Sequence, residues 1–169
     1  MDDRSAVAAQ LGREPRAFLR VAARCPYGFP AVTEQSPYDA NGAPFPTTYY
    51  LTCRHLVQAL ARLEAAGGVE RWSEAAAADG ELAASLARAT EEQRDVRRAL
   101  AGGRGGADGG ASLGLGIGGS RTPARLKCLH AHAAFALARP GYLLGERILA
   151  EVEPRWPDGG CCSAGAQRE

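Results

Sequence analysis

Three short β-prone runs follow one another within the first third of the chain, and this constrains the fold more than anything else in it. They are Ala17 to Ala22, Pro30 to Gln35 and Thr47 to Thr52. Pro26 and Gly28 force a turn after the first. Pro37 to Pro46, containing Asn41-Gly42, has the chemistry of a loop or hairpin before the third. Parallel pairing would need long crossovers that these connections cannot supply, so an antiparallel three-stranded sheet is expected.

From Arg54 the apolar period changes to that of a helix, with Leu56, Val57, Leu60 and Leu63 on one side and Gly67-Gly68 as a stop. A short helix is expected over Asp3 to Leu11, a longer one from about Glu81 to Leu100, and a last one over Tyr142 to Val152. Thr122-Pro123, an N-cap residue before a proline at the first helical position, predicts a helix running to about Ala138. The fold class is therefore α+β, a small three-stranded sheet against four to five helices in a single domain over 1–153. Order is expected to lapse over about 102–112, which is nearly all glycine, and again over the tail 154–169. Cys161 and Cys162, in that tail, read as incidental.

The 169 residues suffice for one domain with a real core and are too few for two ordinary ones. Lys and Arg total 20 against 19 Asp and Glu, so the net charge of +1 provides no field to steer toward nucleic acid or an anionic membrane. No apolar run approaches a membrane span, and no secretory h-region follows Met1-Asp2-Asp3-Arg4. A cytoplasmic protein without membrane or nucleic-acid partners is expected, with reduced thiols rather than a disulfide framework. A protein partner remains open.

Chemistry concentrates in Lys127-Cys128-Leu129-His130-Ala131-His132, and the third histidine, His55, lies two positions after Cys53. On a helix turning about 100° per residue, Leu126, Leu129, His130, Ala133, Ala136 and Leu137 share an apolar arc. Cys128 and His132 lie together on its flank. They could grip one ion, and a tetrahedral zinc site would draw its remaining ligands from Cys25 and from Cys53 or His55, at the strand ends. The candidate metal set is Cys25, Cys53, Cys128 and His132, with His130 behind it or in the core. Two other readings stand beside this. The thiols can be small buried hydrophobes with His130 a core histidine, or Cys128 can be a nucleophile activated by His132, although no carboxylate that would orient the pair is evident.

Gly114 to Arg121 carries the GxGxxG spacing ahead of the Thr122 helix. Gly116, Gly119, Ser120 and Arg121, aided by Arg125 and Lys127, could hold a phosphate or carboxylate. No strand precedes this loop, which excludes the dinucleotide fold.

Four blocks, Arg24-Cys25-Pro26-Tyr27-Gly28-x-Pro30-x-Val32, Pro44-Phe45-Pro46-Thr47-x-Tyr49-Tyr50-Leu51-Thr52-Cys53, Leu63-Glu64-x-x-Gly67 and Lys127 to His132, resemble a bacterial family known as domain of unknown function 501. The resemblance spans about Leu11 to Val152. It implies a small cytoplasmic protein, often encoded near a cell-division initiator and an exopolyphosphatase, with no established activity. It also implies that Cys25, Cys53, Cys128, His130 and His132 are motif positions. The chain departs from the pattern at Arg54-His55, where proline is expected, and at Glu91-Glu92-Gln93-Arg94, where a tyrosine-containing stretch is expected. The glycines of 102–110 look like an insertion.

Three functions follow as expectations: a zinc-type Cys/His site, structural or hydrolytic; a non-catalytic protein-binding module with buried reduced thiols; or a phosphate-ester or nucleotide-binding enzyme using the glycine loop.

Overall fold

The computed structural model describes residues 1–164. Strands β1 (Phe18–Arg24), β2 (Pro30–Gln35) and β3 (Tyr49–Leu51) form an antiparallel sheet in the order β1-β2-β3. The turn after β1 closes with Gly28 at φ 85°, where its amide donates to the Cys25 carbonyl at 2.9 Å. Every residue of the central strand β2 is buried, Thr33, Glu34 and Gln35 included. Glu34 is met by Arg20 on β1, so its carboxylate keeps a partner.

Among the described residues six α-helices accompany the sheet: α1 (Asp3–Leu11), α2 (Arg54–Ala65), α3 (Gly68–Ala78), α4 (Gly80–Ala101), α5 (Leu129–Ala138) and α6 (Leu143–Ala150). Asp2 caps α1 by accepting from the Ser5 amide at 2.9 Å, and Asp79 caps α4 by accepting from Glu81 and Leu82. Helix α5 lies against all three strands, and its residues Leu129 and Ala131 to Ala136 are buried. Because it is enclosed on every side, α5 carries almost no polar face. No helix among the described residues is long and apolar enough to cross a membrane.

The structure corrects the sequence reading in four places. Gly67-Gly68 does not end the helical run. Gly67 turns a corner at φ 86°, and the alanine-rich stretch after it forms α3. Helix α5 starts at Leu129 rather than Thr122, because Ser120 Oγ donates to the carbonyls of Thr122 and Arg125 and the Leu126 amide donates to Ser73 on α3. Those bonds hold the preceding residues in turns.

The glycine-rich segment is also ordered, through polar anchors rather than apolar burial. Tyr38 donates to Asp108 at 2.6 Å, and Asp108 accepts from the amides of Gly110 and Ser112 at 3.0 and 2.9 Å. The Tyr38 hydroxyl, set against burial and reinforced by Ser112 and these amides, holds the Asp108 carboxyl well below the ordinary carboxylate range. Gln93 and Arg94 on α4 donate to the carbonyls of Gly116 and Gly114 at 2.8 and 2.9 Å. Two of the residues that depart from the expected helix pattern thus hold the glycine loop that follows the insertion. Gly106, at φ 55°, lies so close to the Tyr38 ring that an added Cβ would sit 2.2 Å from it. Gly106→Ala is expected to undock the segment and speed tryptic cleavage at Arg104 roughly tenfold, the equivalent of about 1.4 kcal/mol of lost local stability. An unchanged cleavage rate would refute this contact.

The fourth correction concerns the tail. Residues 154–164 fold back over the end of the sheet: Tyr27 donates to the Pro157 carbonyl at 2.6 Å, Gln10 to Ser163 at 3.1 Å, and Trp156 packs on the core. Residues 165–169 lie outside the described residues.

Candidate functional site

The order β1-β2-β3 with antiparallel neighbours makes β1 and β3 run the same way, so their C-terminal ends share one edge of the molecule. Cys25 follows β1 and Cys53 follows β3, on either side of the start of β2. The amide of Cys25 donates to Phe29, and that of Cys53 to Ala31. The returning tail brings two more thiols to this edge: Cys161 Sγ lies 3.7 Å from Cys25 Sγ, and Cys162 Sγ lies 3.8 Å from Cys53 Sγ. All five cysteines are free. Burial pushes the Cys53 thiol up to about 12. At Cys162 burial pushes upward as well, but the His55 amide and the neighbouring Cys53, Ser163 and Cys161 outweigh it and leave this thiol below its ordinary value. His55 joins no thiol; its Nε2 meets the Pro154 carbonyl at 3.1 Å.

Cys128 and His132 do not share a helix flank. Cys128 is the extended N-cap of α5 (φ −154°, ψ 164°), outside the helix on which the shared face was drawn. His132 is 1 % exposed and points into the core, where its Nδ1 is 2.8 Å from the Tyr142 hydroxyl and its Nε2 has no partner among the described residues. Burial lowers its pKa to about 3, so the ring is neutral. Among the described residues no three His, Cys, Asp or Glu side chains stand as a group able to hold a metal ion, so Cys25, Cys53, Cys128 and His132 do not form the expected zinc site.

His130 has a partner that sequence reasoning missed. Its Nδ1 meets the Glu64 carboxylate and its Nε2 donates to the Val57 carbonyl at 3.1 Å, while Glu64 also accepts from the Leu129 amide at 3.4 Å. Leu63-Glu64-x-x-Gly67 was visible as a block, but no local spacing links Glu64 to a residue so far along the chain. Beside this pair, Cys128 lines a cavity of about 310 Å³, walled also by Thr47, Tyr49, Tyr50, Leu51, Val57, His130 and Ala131. Burial raises the Cys128 thiol above its ordinary value; the amides of Ala131 and His130 oppose it, and the Glu64 charge adds to it.

Two of the glycine loop's proposed anion-binding amides are already committed within the loop. The Gly116 amide donates to Ser120 O at 2.8 Å, the Gly119 amide to Gly116 O at 3.0 Å, and Ser120 Oγ is committed as described. Arg121 and Lys127 do line a cavity of 490 Å³, but the ionised Asp108 lies in the same wall and opposes an anion. With α5 starting at Leu129, no helix N-terminus opens from this loop.

The family described as "Protein of unknown function (DUF501)" matches residues 21–150. The chain belongs to that family. No curated protein and no solved structure matches it significantly. The DUF501 match takes in Cys25, Cys53, Glu64, Cys128, His130 and His132, and it ends before Cys161 and Cys162. One half of each thiol pair in this DUF501 protein therefore lies outside the matched region.

Proposed function

We propose that this DUF501 protein is a non-catalytic binding module whose ligand cleft lies beside Cys128. One observation carries the reading: three separate sequence blocks meet around a single cavity. Thr47, Tyr49, Tyr50 and Leu51 come from the second block, Glu64 reaches the site through His130, and Cys128 and His130 come from the last. Catalysis is disfavoured by the way the polar groups are committed. Both ring nitrogens of His130 are occupied by Glu64 and Val57, and His132 is sealed in the core, so neither imidazole is available to the thiol as a base. The space of 310 Å³ is at the small end for a ligand pocket and fits one large side chain of a partner protein, laid against Leu51, Val57 and the tyrosines.

Indole and leucine amide, as stand-ins for such side chains, are expected to shift the amide resonances of Thr47, Tyr50, Val57 and Ala131 and to slow alkylation of Cys128. Ala131→Leu, which fills the cavity, is expected to abolish both effects. Shifts confined to other regions, or a burst of p-nitrophenol from p-nitrophenyl acetate that disappears in Cys128→Ser, would overturn the reading.

A further inference from the structure

The strand-end thiols lie apart from the cleft, and binding there makes no use of them. They come from three places in the chain, after β1, after β3 and in the returning tail, and yet they meet as two pairs at 3.7 and 3.8 Å. Those separations match the edge of a tetrahedron of thiolates around zinc, about 3.8 Å for bonds of about 2.3 Å, and are well beyond the roughly 2.05 Å of a disulfide. Cys161 and Cys162 are consecutive, so a single short segment delivers one partner to each pair and links the pairs to each other.

The backbone around the thiols is arranged to support sulfur carrying negative charge. The Ser163 amide donates to Cys161 Sγ at 3.4 Å, and the amides of His55 and Leu56 approach Cys162 and Cys53. Arg54 adds a positive charge at the same end, its guanidinium bound to the carbonyls of Gln10 and Ala9 and, among the described residues, to no carboxylate. Two buried thiols, one half-buried and one exposed, gathered without a metal would gain little beyond ordinary packing.

We propose that Cys25, Cys53, Cys161 and Cys162 bind one zinc ion that clasps the C-terminal segment to the end of the sheet. No finished ligand group stands among the described residues, so the ion has to draw the two pairs together, and each thiol that ligates releases its proton to solvent. This site is independent of the cleft, contains neither Cys128 nor His132, and takes half of its ligands from beyond the family match.

The test uses the full chain purified without an affinity tag. Elemental analysis is expected to find about one zinc per chain, and cobalt added to the stripped protein should give the absorption of a tetrahedral thiolate complex. Cys162 is exposed and Cys161 only half-buried, so Cys161→Ser and Cys162→Ser should leave the circular dichroism unchanged while metal content falls roughly tenfold or more. Cys128→Ser should keep its zinc. Protein that takes up neither zinc nor cobalt would overturn the proposal. So would full metal retention in Cys161→Ser and Cys162→Ser, or recovery of Cys25–Cys161 and Cys53–Cys162 disulfides from freshly purified protein.

Discussion

Gly145→Ala is expected to lower the stability of the protein by about 3 kcal/mol, although alanine is the better helix former by about 1 kcal/mol. Gly145 lies in α6 where that helix crosses α5. A Cβ there would sit 2.6 Å from the His132 carbonyl oxygen, 2.6 Å from Tyr142 Cδ1 and 2.8 Å from Ala136 Cβ. Two of these neighbours cannot yield by rotating a side chain, since one is backbone and the other is the only carbon of an alanine. Helix α5 cannot retreat either, being packed against the sheet on its other side. The methyl group must therefore push α6 outward, loosening the contacts of Leu144, Ile148 and Leu149, which are at most 1 % exposed. Urea denaturation of Gly145→Ala beside Gly80→Ala, where an added Cβ meets nothing, separates this clash from helix propensity. Equal midpoints for the two variants would mean that α5 and α6 do not approach so closely.

The same tight crossing explains part of what could be read from the sequence. The sheet and helices α1, α2, α4 and α6 were legible because their patterns are local, and in α1 and α4 the capping aspartates Asp2 and Asp79 lie next to the helix in sequence. Helix α3 was not, because a glycine pair is a stop signal only when the chain after it leaves the helical region, and Gly67 at φ 86° merely turns a corner. The start of α5 was misplaced for a different reason. Thr122-Pro123 is a sound local cap, but Ser73, from another helix, claims the Leu126 amide. Tertiary hydrogen bonds won over local preference.

At the candidate sites, residue types were legible and partnerships were not. Cys25, Cys53, Cys128 and His130 stood out as motif positions, yet which of them meet depends on a tail that composition had marked as frayed. Two prolines and three glycines fall among its sixteen residues, with little apolar area to bury. What orders it is a scatter of single contacts, Tyr27 with Pro157, His55 with Pro154 and Ser163 with Gln10, none of which leaves a periodic trace. Glu64 and His130 are in the same position: each is an ordinary helix residue until α2 and α5 are packed together.

Acidification from pH 6.5 to 4.5 is expected to cost about 2.3 kcal/mol through His132 alone, the slope approaching about 1.4 kcal/mol per pH unit once the pH is well below the unfolded value. Burial lowers the folded pKa of His132 from 6.5 to about 3. Between those values the unfolded chain takes up a proton that the folded chain refuses. This contribution is therefore fully present above pH 6.5, declines as the pH falls, and is exhausted near pH 3. Asp108, whose folded carboxyl is also held down, works in the same direction but only below its ordinary value of 3.8, so the two windows separate. The double variant His132→Phe/Tyr142→Phe removes the buried ring nitrogens together with the hydroxyl at 2.8 Å, leaving neither partner stranded. Across urea titrations at pH 7.0, 5.5 and 4.5 the wild-type midpoint should fall relative to that of the double variant, because only the wild type carries the histidine that takes up a proton on unfolding. Parallel losses in both proteins across that range would place a proton-accepting, solvent-reached His132 in the native state and refute the sealed core around it.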